Sequence, residues 1–228
     1  MTAAPHTSTA PRWRRRPEQR PGQIVDAALA VFGEHGLAAS RLDDIAKRAG
    51  LSKGTIYLYF PNKEELFREV VRQTVVAQLE EAERDFGAST GSATEALTAV
   101  MRGYWSFVRS SAFAPLIRLI HAEIHNFPDL AQFYEHEVVT RKQRLFAAVI
   151  RRGVETGEFR EVDPMLAARM LSAPMVMHAL WCNHRDCFTS VARKSDKQVL
   201  NEIMDFYLRA IRAENGNAKT RARTHARS

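Results

Sequence analysis

Residues 40–63, SRLDDIAKRAGLSKGTIYLYFPNK, contain two short helical patterns separated by a glycine. The first pattern predicts a helix of about eight residues that starts after Ser40, with Asp43 completing a capping box, and that stops at Gly50. The second pattern predicts another short helix, for which Ser52 is the capping residue. Two short helices joined by a tight turn that contains glycine predict a helix-turn-helix.

The predicted second helix has a polar outer face and an apolar inner face. Lys53 can reach a phosphate or a guanine edge, and hydroxyl groups next to it can bond phosphates or bases. Gly54 would cost roughly 1 kcal/mol relative to alanine inside a helix, which is reasonable if a DNA groove must approach the backbone closely. An alternative stays open, in which Gly54 is a helix stop and the tyrosines belong to the core. The inner faces of the two helices would meet through Leu42, Ile45, Ala46, Ala49 and Ile56.

A longer stretch around this motif resembles a known family. GLSKGTIYLYFPNKEEL, preceded by RLDDIAKRA and by a helix that ends in FGEHG, is similar to the DNA-binding domain of TetR/AcrR transcriptional regulators over about residues 21–70. The resemblance implies an all-helical homodimer whose N-terminal helices bind DNA and whose larger C-terminal domain binds a ligand and dimerises.

Residue by residue, the resemblance also implies where DNA is contacted. Many members of the family have histidine where this chain has Tyr59, so the base preference stays open at that position. The implied DNA-binding residues are Ser40, Arg41, Leu51, Ser52, Lys53, Gly54, Thr55, Tyr57, Tyr59 and Lys63.

The remainder of the chain also has helical periodicity, and no run alternates as a half-buried strand would. The fold class is therefore predicted to be all-α, with a three-helix helix-turn-helix domain followed by a helical ligand-binding and dimerisation domain. Prolines and arginines dominate the N-terminus, which predicts disorder there. The expected segments are a basic arm at 1–20, the DNA-binding domain at 21–70, the regulatory and dimerisation domain at 71–212 and a basic tail at 213–228.

Charge is distributed unevenly along the 228 residues. The net charge of +7 divides into +4 for residues 1–20, −2 for residues 21–208 and +5 for residues 209–228. Basic ends on a nearly neutral body favour contact with a polyanion such as DNA. The arginines of RWRRR at 12–16 are expected to enter the minor groove, although two solvated ends would have the same composition.

Several features indicate the compartment and exclude enzyme classes. Two cysteines are too few for a disulfide framework, and the N-terminus has no apolar signal region, so a cytoplasmic, nucleoid-associated protein with no membrane partner is expected. The chain has no Walker-type loop, HExxH or dinucleotide fingerprint, and GASTG at 87–91 is interpreted as part of a small polar turn between helices, so no enzyme activity and no cofactor are predicted.

The second half resembles the AcrR-type and AefR-type regulatory domains more loosely, and such members commonly respond to apolar or aromatic compounds. Aromatic and methionine side chains in this half can line an adaptable pocket, although ordinary core is the competing interpretation for each of them. The family usually dimerises through its last two long helices, here 164–185 and 196–212. The candidate ligand-binding residues are Met101, Tyr104, Trp105, Phe113, His121, Phe133, Met175 and His178.

Two pairs of residues with helical spacing leave a metal site open as an alternative. His121 and His125 are four residues apart, as are His178 and Cys182, and zinc sites use this spacing. No carboxylate accompanies them in a known signature, so no metal is predicted. The same positions raise redox sensing by Cys182 and Cys187, although residues five apart on a helix do not face each other well.

Together these patterns predict a ligand-responsive transcriptional regulator. It is expected to be a repressor that binds a palindromic double-stranded DNA operator as a homodimer and that a small, largely apolar effector releases.

Overall fold

The structure is a computed structural model that describes residues 20–183 and 194–213. Most of the predicted basic arm and nearly all of the basic tail lie outside the described residues, as does Cys187. Within the described ranges the chain is helical and contains no β-strand, apart from an isolated antiparallel bridge between Phe159 and Arg212. The predicted all-α fold is confirmed.

Eleven α-helices lie in the described ranges. Two of the joints between them are π-helical turns, Arg72–Val76 and Glu135–Thr140, and one is a 3-10 turn, Ile124–Asn126. The helices are α1 Arg20–Ala39, α2 Leu42–Arg48, α3 Lys53–Tyr59, α4 Lys63–Val71, α5 Ala77–Ala88, α6 Ala93–Val108, α7 Phe113–Glu123, α8 Pro128–Tyr134, α9 Arg141–Glu155, α10 Pro164–Asn183 and α11 Asp196–Ile211.

Helix α1 contains a kink at Gly36, whose φ of +78° is a backbone conformation that favours glycine. The sequence predicts that the helix stops at this glycine, whereas helical turns resume beyond it and continue to Ala39. The kink directs the end of α1 towards the start of the helix-turn-helix.

The predicted capping box at Ser40 is wrong. Helix α2 has Arg41 as its N-cap, with no side-chain capping bond. Ser40 is buried, and its hydroxyl donates instead to the carbonyl oxygens of Val31, at 3.5 Å, and Gly36 in α1. Because Ser40 packs against the kinked end of α1, its hydroxyl is not available to the first turn of α2.

The predicted cap at Ser52 is confirmed, and two further helix starts have polar caps of the same kind. Ser52 accepts a bond from the Thr55 backbone N–H at 3.2 Å, and Ser92 forms a full capping box with Glu95. The Asp163 carboxylate accepts from the first turn of α10. The bonds in these caps span only two or three residues, so a short polar pattern is enough to form them where no tertiary contact competes.

Apolar side chains form two connected clusters. The first lies beneath α1–α4 and also includes Leu116 and Ile120 from α7 and Leu130 from α8. The second lies among α6, α9, α10 and α11. The first cluster therefore extends past residue 70, the predicted end of the DNA-binding domain, and α7 contributes to both clusters.

Helix α10 has two different faces. By length and composition it is the one described helix apolar enough to cross a membrane, a test that core helices of soluble proteins also pass. Leu171, Met175 and His178 are buried, whereas Leu166 and Met170 are 49 % and 65 % exposed. The rest of the described chain therefore covers only part of the apolar surface of this helix.

Candidate functional site

Helix α3 is held from behind by two buried side chains. Ile56 is fully buried and Phe60, at the helix end, is 9 % exposed. Both belong to the cluster beneath α1–α4, where Ile45 of α2 also lies. This anchoring fixes the angle between α2 and α3 and leaves the opposite face of α3 open.

The open face of α3 exposes large side chains. Tyr57 is 46 % exposed, Leu58 85 % and Tyr59 37 %. A Cβ added at Gly54 would have no neighbour within 4 Å, so packing within the described chain does not require glycine there. Leu58 is not among the DNA contacts that the resemblance implies. Its position two residues after Ile56 places it away from the buried side of α3, and this spacing was the signal in the sequence for its exposure.

Lys53 is held between α2 and α3 by an ion pair. Its Nζ lies 2.8 Å from Asp43 Oδ2 and 5.9 Å from the centre of the Tyr57 ring. The hydrogen bond from Lys53 lowers the pKa of the Asp43 carboxyl, and the same bond raises the pKa of Lys53. Asp43 Oδ1 is buried and accepts no hydrogen bond within the described chain. The ammonium is thus oriented before any DNA arrives.

The remaining implied DNA contacts have mixed surroundings. Ser52 and Thr55 share a hydrogen bond of 2.7 Å between their hydroxyls, and Arg41 is exposed while Leu51 is half-buried. Lys63 donates to the carbonyl oxygen of Ala38 at 2.7 Å and to that of Ser40 at 3.4 Å. Lys63 therefore braces the segment before α2, and the buried Ser40 side chain is not on the open surface.

A cavity of about 960 Å³ lies in the second half of the chain, between α5, α6, α7, α9 and the π-helical turn before α9. Most of its lining is apolar, from residues such as Val100, Phe107, Ile117 and Phe146. Of the eight candidate ligand-binding residues, the structure brings Tyr104, Phe113 and His121 to this cavity.

The other five candidates lie elsewhere. Met101, Trp105 and Met175 are buried in the second cluster. Phe133 lies under the guanidinium groups of Arg68 and Arg72, at 5.7 and 5.3 Å from its ring centre. His178 stacks on Trp105 with ring centres 5.6 Å apart. These five positions have the core or packing roles that the sequence could not distinguish from pocket lining.

The cavity also contains a lysine that sequence reasoning missed. Lys142 Nζ lies 3.5 Å from the Tyr104 hydroxyl and 5.2 Å from the centre of its ring. Burial lowers the pKa of Lys142 and raises the pKa of Tyr134, another lining residue, to about 12. No motif surrounds Lys142, so the sequence offered no signal for its position.

The two pairs considered for a metal site do not assemble into one. Across residues 20–183 and 194–213, no group of three or more His, Cys, Asp or Glu side chains is arranged to hold an ion. His178 Nε2 lies 3.3 Å from the sulfur of Cys182, and both side chains are buried. This pair packs within the core.

One hydrogen bond connects the cavity helix α7 to the end of α1, just before the helix-turn-helix. Glu123, the last residue of α7, accepts a bond of 2.8 Å from the Ala38 backbone N–H. His121 on the same helix lines the cavity, as does Ile124 immediately after it. Helix α7 packs along α1, so the same helix contacts both the cavity and the segment that leads into α2.

Comparison with known sequences matches both parts of the chain. The family described as bacterial regulatory proteins, tetR family, matches residues 24–70. The family described as tetracyclin repressor-like, C-terminal domain, matches residues 88–189. Together the two matches cover well over half of the chain.

Individual relatives are similar over most of their length. The fatty acid metabolism regulator protein of Bacillus subtilis is 29 % identical over 65 % of this chain and 76 % of its own. The HTH-type transcriptional repressor KstR2 of Rhodococcus jostii is 28 % identical over 90 % of this chain and 97 % of its own. Among solved structures, the B. subtilis regulator FadR in complex with stearoyl-CoA superposes with a TM-score of 0.68 at 25 % identity, covering 82 % of this chain and 97 % of that one.

Proposed function

The chain belongs to the TetR family of bacterial regulatory proteins, and we propose that it is a repressor which binds a palindromic operator as a homodimer and leaves it when a small, largely apolar effector binds. The family and the relatives are DNA-binding transcriptional regulators, not enzymes. We propose that it acts in the cytoplasm, where it binds double-stranded DNA.

The observation that carries the proposal is the exposed face of α3. A short helix fixed by Ile56 and Phe60 presents an oriented ammonium, a glycine without a packing role and two exposed tyrosines. Such a surface fits a major groove, where basic and hydroxyl side chains read base edges and phosphates. Arg41, Leu51, Ser52, Lys53, Gly54, Thr55, Tyr57 and Tyr59 are the proposed DNA-contacting residues, with Lys63 as a phosphate contact that also supports the turn.

A second exposed surface supports the homodimer. Leu166, Met170, Met177 and Trp181 follow one face of α10, and Phe206 on α11 is 77 % exposed. Apolar side chains exposed as a continuous stripe are typical of protein–protein interfaces. Two copies joined through α10 and α11 as a four-helix bundle would direct two α3 helices at successive major grooves.

The cavity supports the effector part of the proposal. Its volume and its mostly apolar lining are typical of small-molecule sites. One relative is named for fatty acid metabolism and one similar structure contains stearoyl-CoA, which agrees with an apolar effector here. A ligand that binds more tightly to one position of α7 shifts the population of dimers towards the conformation with that position. In this conformation the distance between the two α3 helices no longer fits the operator, which is released.

A gel-shift experiment with the DNA upstream of the protein's own gene tests the proposal. We expect one palindromic segment to be shifted at nanomolar protein, and footprinting to cover two half-sites about one helical turn apart. Binding that does not distinguish the palindrome from scrambled DNA of equal length would refute the repressor assignment.

The dimer is tested separately by light scattering. Phe206→Asp places a charge on this exposed apolar surface and is expected to give a monomer with greatly weakened operator binding. Asp205→Asn, on the neighbouring exposed position, is the matched control and should remain a dimer. A Phe206→Asp protein that is still dimeric would show that another surface joins the two copies.

A further inference from the structure

We propose that the effector is an amphipathic carboxylic acid, whose apolar body fills the cavity and whose carboxylate binds the ammonium group of Lys142. The inference deepens the proposed function, because it assigns a chemical class to the effector of the same cavity.

The first observation is the position of the Lys142 ammonium. It lines an apolar cavity, and it has a contact of 3.5 Å with the Tyr104 hydroxyl, which is long for a hydrogen bond. Among the described residues, no carboxylate lies within the 4.0 Å that defines an ion pair with Lys142. The neighbouring Arg141, by contrast, is paired with both Glu80 and Glu83.

The second observation concerns solvation. Moving a cation out of water is costly unless a partner of opposite charge compensates for it. The lowered pKa of Lys142 has burial as its cause, so the protein itself does not supply that compensation. A ligand carboxylate would supply it and would form a charge-assisted hydrogen bond in a water-poor site. The face of the Tyr104 ring offers only a weaker cation–π contact.

The third observation restricts the charge of the ligand. The other charged lining residues, Glu81, Asp85 and Glu135, are all acidic and exposed. These exposed carboxylates repel a polyphosphate group, such as that of a coenzyme A thioester, more strongly than they repel a single carboxylate. A ligand with a single carboxylate bound at Lys142 fits this charge distribution better than a polyanion does.

The size of the cavity agrees with such a ligand. A volume of about 960 Å³ accommodates an acid with a chain or ring system of drug-like size. The apolar lining solvates the body of the molecule, while Lys142 and Tyr104 bind its polar end. The proposed contacts therefore divide the ligand into one charged end and one apolar remainder.

Isothermal titration calorimetry on the full-length protein tests the inference with three acids, octanoate, dodecanoate and hexadecanoate. Each acid is compared with the primary alcohol and the coenzyme A thioester of the same chain length, all below their micellar concentrations. We expect at least one acid to bind roughly tenfold to hundredfold more tightly than its alcohol, as a charged hydrogen bond predicts. We expect the thioesters to bind more weakly than the acids.

Two variants complete the test. Lys142→Met keeps the length of the side chain, and it should remove the preference for the acid while the alcohol binds with unchanged affinity. Lys194→Met, which removes an exposed lysine outside the cavity, should keep the preference. The inference is overturned if no acid binds, if the alcohols or thioesters bind as tightly as the acids, or if Lys142→Met retains the preference.

The result can be separated from the proposed function by adding operator DNA. Lys142-dependent binding of an acid that releases the operator supports both statements. Lys142-dependent binding that leaves the operator complex intact supports the carboxylic acid site and contradicts the release mechanism. Release by a compound whose binding does not depend on Lys142 overturns the inference and leaves the repressor assignment standing.

Discussion

The exposed face of α3 is formed by residues that are close in sequence, whereas the cavity between α5, α6, α7 and α9 is formed by residues that are far apart in sequence. Every bond that shapes α3 joins residues within about a dozen positions, as between Ser52 and Thr55 or between Lys53 and Asp43. The cavity brings together Leu79, Tyr104 and Lys142, which lie on three different helices. A surface of the first kind keeps its shape when the rest of the molecule moves, whereas a cavity of the second kind changes shape with any of its helices.

This difference assigns the two regions different tasks. A rigid reading surface is suited to fixed geometry against DNA, and an adaptable cavity is suited to sensing a ligand through helix displacement. The two regions meet where Glu123 of α7 contacts the segment around Gly36 and Ala38. Substitutions at and on either side of this junction therefore test the comparison.

The largest effect is expected for Gly36→Ala at the junction. Gly36 has a φ of +78°, and an added Cβ would collide with the Glu123 carboxylate. Backbone strain combined with displacement of a bonded carboxylate should lower the free energy of unfolding by about 3 kcal/mol or more. Urea denaturation followed by circular dichroism measures this loss.

Gly50→Ala is the matched control for the junction. Gly50 also has a positive φ, +66°, but a Cβ there would have no neighbour within 4 Å. Only the backbone strain of a positive φ remains, so the free energy of unfolding should fall by about 1 kcal/mol. Equal losses for the two variants would show that contact with α7 adds nothing to the strain at Gly36.

The next effect is expected within the reading surface. Lys53→Ala removes the oriented ammonium and should lower operator affinity about tenfold or more, because one specific contact contributes that much. Thermal unfolding should change little, since the Lys53 side chain is exposed and an ion pair of this kind contributes little stability. Fluorescence anisotropy with labelled operator measures the affinity, and Lys194→Ala is the control. Undiminished affinity would remove Lys53 from the reading surface.

The helix-turn-helix could be predicted closely from the sequence for the same reason that it is rigid. Ser52, Gly50 and the spacing of Ile56 and Phe60 act over one or two helical turns, so their pattern shows their roles directly. The exception is Ser40, where a contact with the kinked end of α1 replaces the local capping bond. A pattern of three residues cannot show that competing tertiary contact.

The cavity could not be predicted in the same way. Trp105 and Tyr104 are neighbours in sequence and equally aromatic, yet Tyr104 lines the cavity while Trp105 packs on His178 in the core. Their difference depends on how α9 and α10 pack against α6, which no local spacing encodes. Lys142 was missed because nothing in its local sequence shows that its ammonium ends among apolar side chains.

A smaller effect is expected for Glu123→Ala, which cuts the bond between the two regions. The Ala38 N–H loses its acceptor, so displacement of α7 should reach α2 less effectively. The coupling free energy between effector and operator should fall by roughly 0.5–1 kcal/mol, with little change in either binding step alone. Operator affinity measured with and without saturating effector gives this quantity.

Glu123→Gln keeps an oxygen acceptor for the same backbone N–H and serves as the conservative control. It should retain most of the coupling that Glu123→Ala loses. If both variants lose coupling equally, the coupling depends on the charge of the carboxylate. If neither variant loses coupling, the continuous helical segment 63–88 alone couples effector binding to operator binding.

The smallest expected effect is the change in the free energy of unfolding caused by Lys142→Met. Its sign distinguishes a binding role for Lys142 from a structural one. Burial lowers the pKa of Lys142 in the folded protein, while the unfolded chain keeps the ordinary lysine pKa. Below both pKa values the charged ammonium therefore lowers the stability of the fold. Lys142→Met removes this penalty, and the free energy of unfolding should rise by about 0.5 kcal/mol.

The pH dependence of that gain follows from proton linkage. Between the folded and the unfolded pKa of Lys142, the unfolded chain binds more protons, so the native protein gains stability as pH rises. The gain in the free energy of unfolding from Lys142→Met should therefore have its full size at about pH 7. It should be smaller at about pH 10, close to the ordinary lysine pKa. Urea denaturation at the two pH values measures it, with Lys194→Met as the control. A Lys142→Met protein that is less stable than the native one at both values would mean that the ammonium supports the fold through Tyr104, and that its place in the cavity is not maintained for a ligand.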